Sequence, residues 1–313
     1  MRASQHLPES YNAAEWFVGR HVHEGRGDRV ALVTDDGSVT YAQLDVAVRR
    51  FASALVEARL EGGDRVALLL PDTQALSVAF WGTIAAGAVA VPINPLLKPH
   101  EQRKILDDCG ARVVVVDAAE PAGETLPGAA PVWTAAEVRA LTSAGPAVPA
   151  YARTDRDAPA FFLYSSGTTG EPKGVVHLQH DMWICCETYG KSVLAITASD
   201  RCFSVAKLFF AYGLGNAQYF PLHVGASAIL LSGRPTPEAV FEHVRRHRPT
   251  LFFGVPTAYA NMLAVMDAAA SEAFRSVRAC VSAGESLPGS VFERWRERTG
   301  LEIQDGIGTT EIG

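Results

Sequence analysis

Apolar positions in this chain recur with two periods that take turns. Short apolar or β-branched runs at residues 30–34, 65–70, 112–116, 201–205, 227–231, 250–255, 277–281 and 301–304 read as strands, many of them apolar throughout, as strands buried on both faces are. Between them, residues 41–59, 100–109, 237–247, 257–270 and 287–299 carry the spacing of helices with one apolar face. Thr40 is placed to cap the first of these helices, and Gly110 ends the second before a β-branched run. Strand and helix in alternation predict an α/β fold with mainly parallel sheets covered by helices on both faces. Residues 118–157 break the rhythm with Ala, Pro, Gly and Thr, and are expected to be a surface excursion at a subdomain boundary.

The segment from Thr73 to Leu97 has no charged residue and is long enough on paper to cross a bilayer at roughly 20 residues per span. Gly82, Gly87, Pro92 and Pro95 interrupt it, so it is read as a core helix ending near Gly87 and a buried strand over residues 88–93, with no membrane role. Length and composition fit that reading: 313 residues with 48% hydrophobic content supply more than one average core. A net charge of −6 without a basic cluster disfavours nucleic acid, and any anion site must rest on local charges. The five cysteines (Cys109, Cys185, Cys186, Cys202 and Cys280) lack C-x-x-C spacing, and residues 1–16 lack the apolar run of a signal peptide, which points to reduced thiols and a cytoplasmic setting.

The candidate chemistry concentrates in one loop. Tyr164-Ser165-Ser166-Gly167-Thr168-Thr169-Gly170-Glu171-Pro172-Lys173-Gly174 is flanked by strand-like residues 159–164 and 174–178, so its hydroxyls, glycines and single ammonium are expected at a turn. Glycines admit an oxyanion close to backbone N–H groups, hydroxyls add donors, and Lys173 supplies full charge for phosphates. A solvated hairpin turn has a similar composition. A Walker-type loop is excluded, because Lys173 follows proline and leads into Val175-Val176 with no helix start. Two further turns follow strand-like runs: Ser282-Ala283-Gly284-Glu285-Ser286 and Asp305-Gly306-Ile307-Gly308-Thr309-Thr310-Glu311. Ligands gather at such strand ends in open α/β sheets. No G-x-S-x-G elbow is present, which argues against a serine hydrolase. His177 and His180 are expected to begin a helix after the loop, in packing or helix-start roles, because their spacing alone makes no zinc site.

These three loops, in this order, resemble the motifs of the adenylate-forming (AMP-binding) superfamily. The resemblance implies the N-terminal domain of an acyl-CoA synthetase-like fold: two αβα lobes, here residues 1–157 and 158–313, with an incomplete small β-barrel and no C-terminal domain. It assigns Ser165, Ser166, Gly167, Thr168, Thr169, Gly170 and Lys173 to the ATP phosphates. Gly284, Glu285, Ser286, Asp305, Gly306, Ile307 and Gly308 go to the nucleotide, Thr310 to the α-phosphate and Glu311 to Mg²⁺, with Lys173, Thr310 and Glu311 as the catalytic set.

The aromatic, glycine-rich stretch from Ala206 to Pro221 reads either as a buried helix start or as walls for a flat ring. It resembles the benzoate-CoA ligase branch, as does the run from Gly174 to Trp183. That resemblance implies that Ala211, Tyr212, Phe220 and Gly284 line an acyl pocket, with the Tyr212 hydroxyl near the acid's carboxylate. The implied activity is ATP-dependent conversion of benzoate or a substituted benzoate to an acyl-adenylate and then, with CoA, to a thioester. A carrier-protein thiol as acceptor, and an impaired nucleotide-binding remnant, stay open as alternatives, as does a homodimer. The family's C-terminal hinge, ribose-binding aspartate and adenylation lysine have no counterpart in this chain.

Overall fold

The computed structural model describes residues 7–118, 130–144, 147, 150–166 and 171–311. Among them, the strands are β1 (Val30–Thr34), β2 (Gly37–Thr40), β3 (Arg65–Leu69), β4 (Val89–Pro92), β5 (Val113–Val116), β6 (Val132–Thr134), β7 (Pro159–Ser166), β8 (Pro172–Leu178), β9 (Arg201–Ser204), β10 (Ser227–Ile229), β11 (Leu251–Gly254), β12 (Ala279–Ser282) and β13 (Ile303–Asp305). The helices are α1 (Arg20–His23), α2 (Tyr41–Glu57), α3 (Gln74–Ala85), α4 (Pro99–Cys109), α5 (Ala135–Ser143), α6 (Asp181–Cys185), α7 (Ala211–Leu214), α8 (Phe220–Val224), α9 (Pro237–His247), α10 (Pro256–Val265), α11 (Ala268–Ala273) and α12 (Gly289–Thr299). The chain forms two compact units, Met1–Arg29 with Thr40–Cys185, and Val30–Val39 with Cys186–Gly313.

The first unit is built on a six-stranded sheet in the order β6-β5-β3-β4-β7-β8. Neighbours are parallel except β7 and β8, which pair antiparallel. On one face, Ala67, Leu69, Val91, Ile93 and Val114 meet Ile105, Leu106 and Cys109 of α4. The intervening Val66, Leu68 and Ala90 point the other way by the two-residue period and are equally buried, so the sheet is covered on both faces. Thr40 caps α2 through a reciprocal bond with Gln43. From Ala75 onward every residue of α3 is buried, which explains its lack of charge. Gly82 lets α2 cross closely, because a Cβ there would lie 2.7 Å from the Phe51 ring. No helix among the described residues is long and apolar enough to cross a membrane.

The second unit has a seven-stranded sheet, β13-β12-β11-β9-β10-β1-β2, in which the successive pairs from β13 to β1 are parallel. Trp295 of α12 anchors its core, with ring centroids 4.7 Å from Tyr259, 5.0 Å from Phe274 and 6.4 Å from Phe252. Sheet residues Phe203, Ile229, Cys280 and Ile303 and helix residues Val240, Val244 and Met262 complete the cluster.

The α/β expectation of two lobes is met, but the division falls after Cys185, with residues 30–39 in the second unit, where a boundary at residue 157 was expected. All strands among the described residues fall in these two sheets, so the described residues supply no separate barrel. Other local expectations change. Residues 118–157 contain β6 and α5, the latter capped by Thr134 and Glu137. His177 does not begin a helix. It lies in β8, stacked on Phe161 with centroids 4.5 Å apart, and the helix starts at Asp181. The helix expected over residues 257–270 breaks at Met266, whose backbone is extended, and resumes as α11.

Candidate active site

In the first unit the hydroxyl-rich loop is the tip of the β7–β8 hairpin. Ser165 pairs with Lys173 and Ser166 with Pro172, so the ladder continues to the edge of the tip. Gly167, Thr168, Thr169 and Gly170 lie outside the described residues. The Lys173 side chain is exposed, and Ser165 is half-buried. A side chain at Gly174 would press on Tyr164, with its Cβ 3.1 Å from Tyr164 Cζ, so glycine is what lets that ring lie across the hairpin. No cluster of three ligating side chains occurs among the described residues. His180 Nδ1 lies 2.9 Å from the Arg156 carbonyl oxygen and 3.0 Å from Asp157 Oδ1.

In the second unit a cleft of about 320 Å³ opens at the carboxyl ends of four adjacent parallel strands. Ala206 follows β9 and leads to Phe210, Ala211 and Tyr212 at the start of α7. Val255 follows β11, Ala283 and Gly284 follow β12, and Gly308, Thr309 and Thr310 follow β13. From β9 the chain passes to β10 on one side and then to β11 on the other, so the cleft lies at the sheet's topological switch point. Open α/β sheets bind ligands at that point, because the loops on either side of it diverge and leave a crevice. Its volume is at the low end for small-molecule sites.

The walls are fixed by backbone. Tyr212 Oη lies 3.2 Å from the carbonyl oxygens of both Gly254 and Val281, at the ends of β11 and β12, and donates to them. The hydroxyl is thereby committed to the sheet, and the ring is left as cleft wall. Burial pushes this phenol well above its ordinary pKa, so it stays neutral. Lys207 Nζ donates to the carbonyl oxygens of Leu231 and Gly233 at 2.5 and 2.7 Å, tying the loop after β9 to the loop after β10. Gly213 sits where any Cβ would collide with the Lys207 carbonyl oxygen. Gly284 has φ +92°, a left-handed conformation that side chains disfavour. Gly306 N–H donates to the Ser282 carbonyl oxygen at 2.8 Å, joining the two loops beyond β12 and β13.

The cleft thus brings together Ala211, Tyr212, Gly284, Gly308 and Thr310 from the residues singled out in the sequence. Glu285, Ser286, Asp305, Gly306 and Ile307 belong to the same loops without lining it. Thr257 Oγ1 donates to Glu285 Oε2 at 3.4 Å, and Leu287 N–H approaches Asp305 Oδ2 at 3.5 Å. Ile307 is 98% exposed, an apolar side chain presented beside the cleft. Phe220 lies outside the lining: it is buried against Gly190, with its ring 5.9 Å from that of Tyr189. Ala206, Phe210, Ala283 and Thr309, which lie in the stretches quoted from the sequence without an assigned role, also line the cleft, as does Val255 from outside them. Val255 was findable, since it is the last residue of a predicted parallel strand before a proline.

The ten lining residues include threonine hydroxyls and glycines but no cation. Mg²⁺ is usually held by one or two carboxylates together with substrate phosphates. Glu311, next to Thr310, is an exposed carboxylate of the kind that takes part in such sites.

Known proteins resemble this chain over nearly its whole length. A family model described as AMP-binding enzyme matches residues 19–313. A benzoate–CoA ligase of Thauera aromatica is 43% identical over 98% of this chain and 60% of its own length. The crystal structure of a benzoate CoA ligase from Burkholderia xenovorans LB400 superposes with a TM-score of 0.88 at 41% identity, covering 96% of this chain and 62% of that one. An anthranilate CoA ligase, AuaEII, solved in complex with anthranoyl-AMP, gives a TM-score of 0.92 at 36% identity over 99% of this chain and 61% of that one. The chain therefore spans about three-fifths of the length of these relatives.

Proposed function

The chain belongs to the AMP-binding enzyme family, and from that premise we propose that the protein containing it activates an aromatic carboxylic acid with ATP. The acid is benzoate or a ring-substituted benzoate, and the product is a CoA thioester reached through an acyl-adenylate. The observation that carries this reading is the cleft in which the Tyr212 ring, Gly284 and Thr310 meet at the ends of parallel strands. A ring needs a flat apolar wall and an adjacent position without Cβ, and an adenylate needs hydroxyl and N–H donors beside it. The names of the relatives at 41–43% identity support both the aromatic acid and the CoA acceptor.

In this mechanism the acid's carboxylate oxygen attacks the α-phosphorus of ATP, forming the mixed anhydride and expelling pyrophosphate. The CoA thiolate then attacks the acyl carbon and releases AMP. Neither step needs a covalent enzyme nucleophile. Catalysis is positioning and electrostatic stabilisation, as is general for transfers at phosphorus. Ala211, Tyr212 and Gly284 hold the ring. Gly284, Glu285, Ser286, Asp305, Gly306, Ile307 and Gly308 receive the nucleoside. Thr310 donates to the α-phosphate, and Ser165, Ser166, Gly167, Thr168, Thr169, Gly170 and Lys173 receive the departing phosphates. Mg²⁺, which Glu311 would hold, neutralises phosphate charge when bound. The five cysteines are free thiols, which suits the cytoplasm proposed as its setting.

The test is aromatic-acid-dependent exchange of pyrophosphate into ATP by the complete gene product. Exchange with benzoate or a hydroxy- or aminobenzoate, above the rate without acid, is the expected result. A panel of such acids giving only the acid-free rate would sink the reading. Thioester formation from the acid, ATP and CoA then separates CoA from a carrier-protein thiol as acceptor.

A further inference from the structure

One helix of the first unit grips the loop hairpin without contributing to the proposed chemistry. α4 lays Ile105, Leu106 and Cys109 on the sheet, and its Lys104 and Asp108, four residues apart, share a neighbouring stripe. Asp108 Oδ2 accepts a hydrogen bond from the Tyr164 hydroxyl at 2.5 Å. Lys104 Nζ donates to both carboxylate oxygens of Glu171, at 2.7 and 2.9 Å. Tyr164 belongs to β7 and Glu171 immediately precedes β8, so the helix holds both arms of the hairpin, one on each side of the tip.

The charge on Glu171 gives the outer contact its meaning. Glu171 is two residues from Lys173, about 7 Å of extended backbone, within the roughly 8 Å screening length of physiological salt. A bare carboxylate there opposes any polyanion drawn to Lys173. The Lys104 ammonium pairs with it through both oxygens and cancels that field. As an exposed ion pair it contributes little to folding, so its effect falls on the ligand.

We propose that Lys104 is a positioning residue for the nucleotide: it neutralises and anchors Glu171 so that the neighbouring Lys173 presents an uncancelled positive charge to the ATP phosphates. This rests on the adenylation reading above. Two features separate it from ordinary surface pairing. The pair holds the second arm of a hairpin whose first arm Tyr164 already ties to Asp108 of the same helix, and its acidic partner lies two residues from Lys173.

The experiment measures Mg-ATP affinity by calorimetry, and the KM for ATP and for the aromatic acid, in the complete gene product and in Lys104→Met, Glu171→Gln and the double variant. At low salt Lys104→Met is expected to weaken Mg-ATP about fivefold, the scale of one screened unit charge acting on a polyanion. The KM for the acid and the melting temperature stay at wild-type values. Glu171→Gln binds Mg-ATP at least as well as wild type, the double variant returns to within about twofold of it, and the Lys104→Met deficit shrinks at about 0.5 M salt. Wild-type affinity in Lys104→Met, or a double variant as weak as Lys104→Met, would overturn the role assigned to Lys104 alone. A wild-type protein that binds no Mg-ATP would instead overturn the adenylation reading and take this role with it.

Discussion

The two units carry their candidate chemistry in opposite ways. In the second, the cleft stands at the ends of parallel strands, of which β9, β11 and β12 are buried on both faces, and its walls are fixed by backbone contacts: the Tyr212 hydroxyl on two strand-end carbonyls, Lys207 on two loop carbonyls, Gly213 against the Lys207 carbonyl. In the first, the loop is the tip of an edge hairpin, and much of what holds it is exposed side-chain charge. Parallel strands must be covered on both sides, and that burial yields a rigid cradle. An antiparallel edge needs no cover, so its tip can stay accessible and be tuned by ion pairs. A site for a flat ring gains from the first design, because small displacements cost binding. A site for a flexible triphosphate gains from the second, because charge acts over distance. Damage to the cradle should therefore appear as lost stability, and damage to the hairpin as lost ligand affinity.

The largest expected effect is at Gly213. A Cβ there would strike the Lys207 carbonyl oxygen and stand 2.5 Å from that of Ala206, and both partners are backbone that cannot rotate away. Gly213→Ala should cost about 3 kcal/mol, the upper range of overpacking, or a fall in melting temperature of roughly 6–12 °C for a unit of this size. Activation of the aromatic acid should fall with it. A Gly213→Ala protein that melts with the wild type would show that the cradle yields easily and would remove the contrast drawn above.

A smaller loss is expected at the amino ends of the same strands, far along the sheet from the cleft. Asp200 accepts from Arg278 Nε and Nη2 at 2.9 Å each, from the Thr250 hydroxyl at 2.7 Å and from the Thr197 N–H at 2.8 Å. Asp200, Thr250 and Arg278 precede β9, β11 and β12, so one carboxylate ties three strands together. Burial by itself would raise its pKa, but the bonds from Arg278, Thr197 and Thr250 outweigh burial and the net shift is downward. A carboxyl whose folded pKa is depressed stabilises the fold fully above its unfolded value of about 3.9 and loses that contribution as pH falls through the lower folded value. Stability should drop over that acid window, measured as urea midpoints between about pH 5 and pH 2, where the titration lies. Asp200→Asn should flatten that slope and cost about 2 kcal/mol at neutral pH, less than a fully buried pair because Arg278 is partly exposed. An unchanged acid slope in Asp200→Asn would assign the acid sensitivity to other carboxylates.

How far the sequence foretold all this depended on which forces are local. α2 was readable because its cap, Thr40, and its apolar stripe lie within the helix itself. The charge-free segment was correctly divided into α3 and β4 because glycine and proline mark its breaks. The Thr134-x-x-Glu137 capping box was equally plain, yet α5 was passed over inside an Ala- and Pro-rich stretch, and the three-residue β6 is strand only because β5 pairs with it. His177 was read two ways, inside the strand-like run over residues 174–178 and as a helix start, and the hairpin ladder and the Phe161 ring decide for the strand. In the cleft, loops at strand ends were found because glycine, serine and threonine cluster there. The position of Phe220 was not readable, since the π-helical turn Gly215–Tyr219 adds a residue and rotates the start of α8 relative to Tyr212.

The finest test sets one tyrosine of each unit against the other. Tyr164 donates to Asp108, an exposed carboxylate that water can serve once the hydroxyl is gone. Tyr212 donates to two carbonyls inside the sheet; its loss leaves Val281 with the Tyr259 hydroxyl but takes the side-chain donor from Gly254, where water does not easily reach. Tyr212→Phe should therefore cost about 1–1.5 kcal/mol and Tyr164→Phe about 0.5 kcal/mol or less. Their ligand effects should separate along the same line. Tyr212→Phe keeps the ring face, so the KM for the aromatic acid should hold within about twofold, which is what distinguishes a ring that forms a wall from a hydroxyl that binds the carboxylate. Were Tyr212→Phe to raise the KM for the acid tenfold with its melting temperature intact, the hydroxyl would have to leave the strand carbonyls when substrate binds. The cradle would then be an adaptable site of the hairpin's kind.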